Sequence, residues 1–179
     1  MSDINRDGVL DLVVANADSV AVLLGIGDGT FLPPLMNFGA GTSWGQSLAL
    51  ADLDGDGDLD VVAAGSDESI YNVAVLLSHG DGTFEPAISY PAVRYPASVT
   101  LADVNHDGRS DLIAFGHFSS RTRAIDVSVA LGNGDGTFQA PAILHVRGIM
   151  GISVTAADLD RNCTPDLALV GINFLQVML

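Results

Sequence analysis

One nine-residue pattern occurs four times in this chain and constrains its fold more than any other feature. It reads Asp-x-Asp/Asn-x-Asp/Asn-Gly-x-x-Asp, with Cys163 in place of the glycine in the fourth copy. The copies, named loops 1 to 4, span 3–11, 52–60, 103–111 and 158–166, so they start 49, 51 and 55 residues apart. A recurrence near 50 residues is typical of a repeat protein.

The spacing of oxygen-bearing side chains within each loop favours calcium. Ca²⁺ takes about six to eight oxygen ligands, and positions 1, 3 and 5 place three short side chains inside a tight turn. Glycine at position 6 allows the positive φ of such a turn, the carbonyl of position 7 can face the ion, and Asp at position 9 closes the shell. The alternative is a metal-free turn rich in Asp and Gly, which four copies in one register disfavour.

The predicted metal residues are positions 1, 3, 5, 7 and 9 of every loop. They are Asp3, Asn5, Asp7, Val9 and Asp11; Asp52, Asp54, Asp56, Asp58 and Asp60; Asp103, Asn105, Asp107, Arg109 and Asp111; and Asp158, Asp160, Asn162, Thr164 and Asp166.

Strand-like rather than helical sequence flanks the loops. An EF-hand needs a Glu at position 12 between two helices, but position 12 is Ala63 in loop 2 and Ala114 in loop 3. Short apolar runs stand on both sides, as at 47–51 and 61–64, and runs of this length fit buried strands. We therefore expect each loop to be the turn of a β-hairpin.

A second signature, which ends in Gly-Asp-Gly-Thr-Phe, recurs at nearly the same period as the first, at 22–31, 75–84 and 129–138. It predicts another hairpin turn that needs positive φ. We interpret its aspartates, Asp28, Asp81 and Asp135, as turn residues, because no further carboxylates are spaced around them. Each unit then has four strands, which in the second unit are predicted at 47–52, 59–65, 72–78 and 84–90.

Four short antiparallel strands in 40–50 residues describe one blade of a β-propeller. The predicted fold is therefore an all-β propeller, a single domain with units at 1–46, 47–97, 98–152 and 153–179. The first unit lacks its first strand and the last lacks its fourth, which leaves about three and a half blades. Propellers close with about four to eight blades, so we expect a partial propeller, a segment of a longer protein, whose open strand edges favour self-association.

These two signatures resemble those of the FG-GAP/VCBS repeat family, the calcium-binding blades of integrin-α-like propellers. The resemblance covers nearly the whole chain. It implies that the metal loop joins strands 1 and 2 of each blade, and that the protein is secreted or at the cell surface. Loop 4 departs from the family pattern, with Cys163 at position 6 and Pro165 at position 8. A side chain at a positive-φ site costs about 1 kcal/mol, so we expect loop 4 to bind calcium most weakly.

The composition excludes several other classes of protein. The net charge is −15, with 20 Asp against 2 Glu, and 14 of those Asp lie in the four loops. Binding of nucleic acid by the surface is therefore not expected. No apolar run reaches the 18 or so residues of a membrane span, and no signal peptide follows Met1. The single cysteine cannot form an internal disulfide.

Hairpin geometry places the 1–2 and 3–4 turns at one end of each blade and the 2–3 and 4–1 connections at the other. Those connections, which by this prediction include 145–152 with His145, vary in sequence, and variable loops on a rigid scaffold carry much binding function. Solvated loop residues without a ligand are the alternative. The predicted ligand face consists of Trp44, Arg94, Tyr95, Arg121, Arg123 and Arg147.

No Ser/His/Asp set, zinc spacing or phosphate loop is present in the sequence. We therefore expect no enzyme activity. The predicted function is a calcium-stabilised extracellular scaffold for protein or carbohydrate binding and adhesion. The alternative is an accessory propeller of a secreted polysaccharide-acting enzyme.

Overall fold

The computed structural model describes residues 1–16, 19–39, 45–65, 72–116, 124–147, 151–162, 164–171 and 174–178. These residues form strands and turns and no helix, which confirms the predicted all-β class. The strands are β1 Leu12–Ala15, β2 Ser19–Leu23, β3 Leu35–Gly39, β4 Gly45–Ala51, β5 Asp60–Gly65, β6 Asn72–Leu76, β7 Ile88–Pro91, β8 Pro96–Ala102, β9 Asp111–Gly116, β10 Ala124–Ala130, β11 Ala142–Arg147, β12 Gly151–Ala157, β13 Asp166–Gly171 and β14 Phe174–Met178.

The strands form four sheets, each with its strands in chain order. Sheet 1 contains β1–β3, sheet 2 β4–β7, sheet 3 β8–β11 and sheet 4 β12–β14. Every pairing is antiparallel. Loops 2, 3 and 4 each join the first strand of their sheet to the second, as predicted.

The core lies between successive sheets, because both faces of an interior sheet are covered. Side chains alternate between the two faces of a strand. In β5, Val61 and Ala63 pack with sheet 1, whereas Val62 and Ala64 pack with sheet 3. This double burial explains why the strand sequences are continuous apolar runs.

The first strands of sheets 2, 3 and 4 lie side by side. The hydroxyl of Ser47 in β4 accepts a hydrogen bond from the main-chain N–H of Val99 in β8, at 3.3 Å. The hydroxyl of Ser98 in β8 accepts one from the N–H of Val154 in β12, at 3.5 Å. Equivalent serines thus join sheet 2 to sheet 3 and sheet 3 to sheet 4.

Two expectations about strand positions were wrong. The fourth strand of the second unit begins at Ile88 rather than at residue 84, because Pro86 has no N–H to donate to the ladder. Phe84 lies outside β7 and forms an isolated bridge with Ser78. His145 lies in β11 and not in a connection, and it faces Asp126 across the β10–β11 ladder.

Candidate metal centres

The described residues of the acidic loops show a common backbone pattern. Glycine at position 6 has positive φ in loops 1 to 3, as predicted, with φ of 85°, 88° and 82° at Gly8, Gly57 and Gly108. Position 4 also has positive φ in all four loops, which sequence reasoning missed. The only sequence signal for it was the glycine of loop 2, since the position-4 residues are Arg6, Gly55, His106 and Arg161. The Cys163 position of loop 4 lies outside the described residues.

The aspartate at position 9 is buried in every loop, and in loops 1 to 3 it links two turns. In loop 2, Asp60 Oδ2 accepts a hydrogen bond from Leu53 N at 2.8 Å, and Asp60 Oδ1 accepts one from Ser78 N at 2.8 Å. Ser78 belongs to the turn between strands 3 and 4 of the same unit. The metal loop and that turn therefore lie at the same end of the sheet, as predicted.

Loops 1 and 3 repeat this arrangement. Asp11 accepts from Ile4 N and Gly25 N, both at 2.8 Å. Asp111 accepts from Val104 N at 2.9 Å and from Gly132 N at 2.8 Å. The sequence predicted position 9 only as a metal ligand, so this structural role is an addition.

Loop 4 is different at position 9. Asp166 Oδ2 accepts from Leu159 N at 2.7 Å. Its Oδ1 is buried and has no hydrogen-bond partner among the described residues. Oδ2 also accepts a longer bond from Asp160 N at 3.3 Å, so among the described residues both amides bond to one oxygen of Asp166 and none bonds to the other.

Carboxylate oxygens converge in loops 2 and 4. Oxygens of Asp52, Asp54 and Asp60 lie within 4.8 Å of one another, and the equivalent residues of loop 4, Asp158, Asp160 and Asp166, do the same. In loops 1 and 3 the position-3 residue is an asparagine, whose Nδ2 donates to the position-5 carboxylate at 2.9 and 3.1 Å. Every side chain at positions 1, 3, 5 and 9 thus offers oxygen, the donor that Ca²⁺ prefers.

The crowding in loop 2 has an electrostatic consequence. Burial raises the pKa of Asp60 to about 6, although the hydrogen bonds from Ser78 N and Leu53 N lower it. The charges of Asp54 and Asp56 raise it further. A divalent cation among these carboxylates would relieve both the burial and the repulsion.

Main-chain amides already hold the loop side chains in place. In loop 2, Gly57 N donates to Asp52 Oδ2 at 2.9 Å and Asp58 N donates to Asp56 Oδ1 at 2.8 Å. The same two bonds recur in loops 1 and 3. A ligand role for the position-7 carbonyls stays a prediction.

An ion pair connects loop 1 with loop 2. Arg6 Nε lies 2.8 Å from Asp58 Oδ1, and Arg6 NH2 donates to the main-chain oxygen of Asp56 at 3.4 Å. Arg6 stands at position 4, which differs in residue type among the loops. It therefore joins two predicted metal loops of successive units.

The Gly-Asp-Gly-Thr turns support the interpretation of their aspartates as turn residues. Asp81 Oδ1 accepts hydrogen bonds from the hydroxyl of Thr83 at 2.6 Å and from its main-chain N at 2.9 Å. These bonds, the hydroxyl first, lower the pKa of Asp81, and the pKa values of Asp28 and Asp135 are lowered in the same way.

The predicted ligand face is described only in part. Arg94 and Tyr95 form the turn between β7 and β8, where the Arg94 guanidinium carbon lies 5.9 Å from the centre of the Tyr95 ring. A Cβ added at Gly116, the end of β9, would lie 2.6 Å from the Arg94 carbonyl oxygen, so this turn lies at the end opposite the metal loops. Arg147 ends β11. Trp44, Arg121 and Arg123 lie outside the described residues.

Antiparallel sheets that each carry an acidic hairpin loop at one end define an all-β repeat protein. The chain belongs to the FG-GAP-like repeat family, whose model matches residues 3–63 and 52–114. Each match begins at the first aspartate of one loop and ends in the strand after the next loop. A comparison with curated proteins found no significant match. Family membership confirms the resemblance seen in the sequence and suggests a β-propeller-type repeat domain.

Proposed function

We propose that this chain is a calcium-stabilised, non-catalytic β-propeller scaffold that works outside cells and binds a protein or carbohydrate ligand. The observation that carries the proposal is the set of four acidic loops, which share positive φ at position 4, with carboxylate oxygens brought together in loops 2 and 4. The sequence predicts about three and a half blades, and we propose that these blades form part of a propeller.

The residues present fit calcium. Each carboxylate oxygen has lone pairs left after accepting one N–H, so Asp60 can ligate while it keeps its bonds to Leu53 and Ser78. With Asp52 and Asp54 it offers oxygens within 4.8 Å of one another. The other predicted ligands of loop 2 are Asp56 and the Asp58 carbonyl, and loops 1, 3 and 4 would use the same positions. Bound calcium would supply positive charge that cross-links each loop.

The charge of the chain supports this assignment. Four Ca²⁺ ions would add 8 positive charges to the net −15 and leave about −7. Extracellular calcium modules work with Kd values of about 10⁻⁴–10⁻³ M, which suits the calcium concentration outside cells.

The described residues contain no helix of the length and apolarity that a membrane crossing requires.

Thermal unfolding tests the proposal. A ligand that binds only the folded state and is present at about 100 times its Kd raises the free energy of unfolding by about 2.7 kcal/mol per site. The Tm should therefore rise with free Ca²⁺ and fall in EGTA. Asp52→Ala, which removes a loop 2 ligand, should reduce the calcium-dependent part of the shift. Equal Tm values in EGTA and in calcium would refute the proposed metal role.

Ligand binding needs its own test. The chain would be screened on a glycan array, and binding to any hit would be compared between Arg94→Ala or Tyr95→Ala and the control Arg109→Ala at the metal-loop end. Loss of binding in the control alone would show that the ligand face is assigned to the wrong end.

A further inference from the structure

A buried hydrogen bond joins metal loop 2 to a turn of the following unit. The main-chain N–H of Gly136, in the Gly-Asp-Gly turn of the third unit, donates to the main-chain oxygen of Leu53 at 3.0 Å. Gly136 is buried and Leu53 is 5% exposed, so water has little access to this bond. Leu53 is position 2 of loop 2 and stands between the predicted calcium ligands Asp52 and Asp54. The bond therefore fixes the peptide group that connects Leu53 to Asp54.

The same turn is held at its other end by a predicted ligand of loop 3. The buried N–H of Gly132 donates to Asp111 Oδ1 at 2.8 Å, and Asp111 is the fully buried position 9 of loop 3. On the side of loop 2, the N–H of Leu53 donates to Oδ2 of Asp60, the position-9 aspartate of that loop, at 2.8 Å. The turn at 132–136 thus connects a predicted ligand of loop 3 with a predicted ligand of loop 2, with hydrogen bonds at both ends.

Internal bonds and packing make this turn a short, rigid connection. Asn133 N donates to the main-chain oxygen of Thr137 at 2.9 Å, and Thr137 N donates to Asp135 Oδ1 at 3.0 Å. The ring of Phe138, directly after the turn, meets the ring of Tyr90 in sheet 2 edge to face, with ring centres 5.5 Å apart. A displacement of the turn would therefore disturb contacts in both units.

We propose that loops 2 and 3 bind calcium cooperatively, so that an ion in either loop raises the calcium affinity of the other through the turn at 132–136. This inference rests on the proposed calcium function. An ion bound to Asp111 fixes the turn, and the fixed turn holds Leu53, so less conformational entropy is lost when loop 2 binds its own ion. Coupling between two binding sites is reciprocal, so an ion in loop 2 raises the affinity of loop 3 by the same factor.

The position-6 glycines provide one probe for each loop. Gly57 N donates to Asp52 Oδ2 at 2.9 Å, and Gly108 N donates to Asp103 Oδ2 at 2.8 Å. Calcium bound at either aspartate should shift the NMR signal of the corresponding amide. The titration would be carried out at about 0.15 M salt, where a Debye length of about 8 Å weakens the direct repulsion between the two ions.

Two variants give the affinity of each loop without its neighbour. Asp107→Ala removes a predicted ligand of loop 3, and Asp56→Ala removes the equivalent ligand of loop 2. Both side chains are exposed, so the fold should be retained, which far-UV circular dichroism would check. The Gly57 curve of the first variant and the Gly108 curve of the second are then fitted together with the wild-type curves. We expect a coupling factor of about fivefold or more, within the usual range for two linked sites.

Asp135→Ala tests the connection itself without removing a predicted calcium ligand. The substitution deletes the acceptor of Thr137 N and loosens the turn, so the coupling should disappear. Asp135→Asn is the matched control, because it makes the same change in charge but keeps an oxygen that can accept this bond. It should retain the coupling.

The outcomes separate this inference from the calcium function on which it rests. If Gly57 and Gly108 both respond to calcium but titrate independently, the cooperativity is wrong and the calcium function stands. If neither amide responds, the calcium function is refuted and the cooperativity with it. Coupling that survives Asp135→Ala unchanged would overturn the role of the turn.

Discussion

Asp111 is the residue whose replacement best separates the structural role of position 9 from metal binding. Its carboxylate is fully buried and accepts one main-chain N–H from Val104 and one from Gly132. In EGTA, where calcium does not contribute, Asp111→Ala leaves both amides without an acceptor. Asp111→Asn retains one oxygen and should leave one amide unpaired.

The expected loss follows from counting those amides. A buried donor left unpaired costs about 1–3 kcal/mol, so Asp111→Ala should lower the free energy of unfolding by about 2–6 kcal/mol and Asp111→Asn by about half of that. Domains of this size are stable by only about 5–15 kcal/mol. The Tm should fall by about 2–4 °C for each kcal/mol lost.

Asp135→Ala is the matched control. Asp135 also accepts two hydrogen bonds, both from Thr137 in the same unit, but it is exposed, and water replaces the lost acceptor. A much smaller loss is therefore expected there than at Asp111. Urea unfolding in EGTA measures all three variants. If Asp111→Ala costs no more than Asp135→Ala, the argument that position 9 ties the two turns together is wrong.

Three further predictions concern the metal loops. Because the folded-state pKa of Asp60 is raised to about 6, its stabilising contribution in the metal-free protein is present at low pH and is lost as pH rises through about 6. Calcium binds the ionised carboxylate, so the calcium affinity should fall below that pH. Calorimetry in two buffers near pH 6 should detect proton release on calcium binding, and Asp60→Asn should abolish that release. In the Arg6–Asp58 ion pair the Arg6 side chain is 54% exposed and the Asp58 side chain only 14%, so a double-mutant cycle of Arg6→Gln and Asp58→Asn should show a coupling near the upper end of the roughly 0–1 kcal/mol of exposed pairs, and an absence of coupling would contradict an ion pair between the two loops. Cys163→Gly should raise the calcium affinity of loop 4 about fivefold by removing about 1 kcal/mol of backbone strain, and an unchanged affinity would count against that strain.

Local chemistry made the strands and loops predictable from the sequence. Apolar runs, the glycine at position 6 and the Gly-Asp-Gly turns act within a few residues, and they predicted a hairpin at each acidic loop. The start of β7 was missed because the missing N–H of Pro86 was not taken into account.

The remaining features depend on partners distant in sequence or on backbone geometry that residue type does not encode. Asp60 bonds to Ser78, 18 residues away, and His145 meets Asp126 only through the β10–β11 register. The residue type of Arg6 and Arg161 does not predict the left-handed conformation that both adopt. The ligand face stays a prediction, since half of it falls outside the described residues.

The bonds from main-chain N–H groups to serines of the preceding unit do not depend on the side chain of the donor residue. Ser47 and Ser98 each accept such a bond from the following unit, from Val99 or Val154, and Ser98 Oγ also lies 3.4 Å from the hydroxyl of Ser153. Any unit whose first strand runs alongside can provide that donor, whatever side chains it carries. Duplication, loss or exchange of whole units would therefore preserve these bonds. The loops of such a protein can change in evolution while its scaffold is retained.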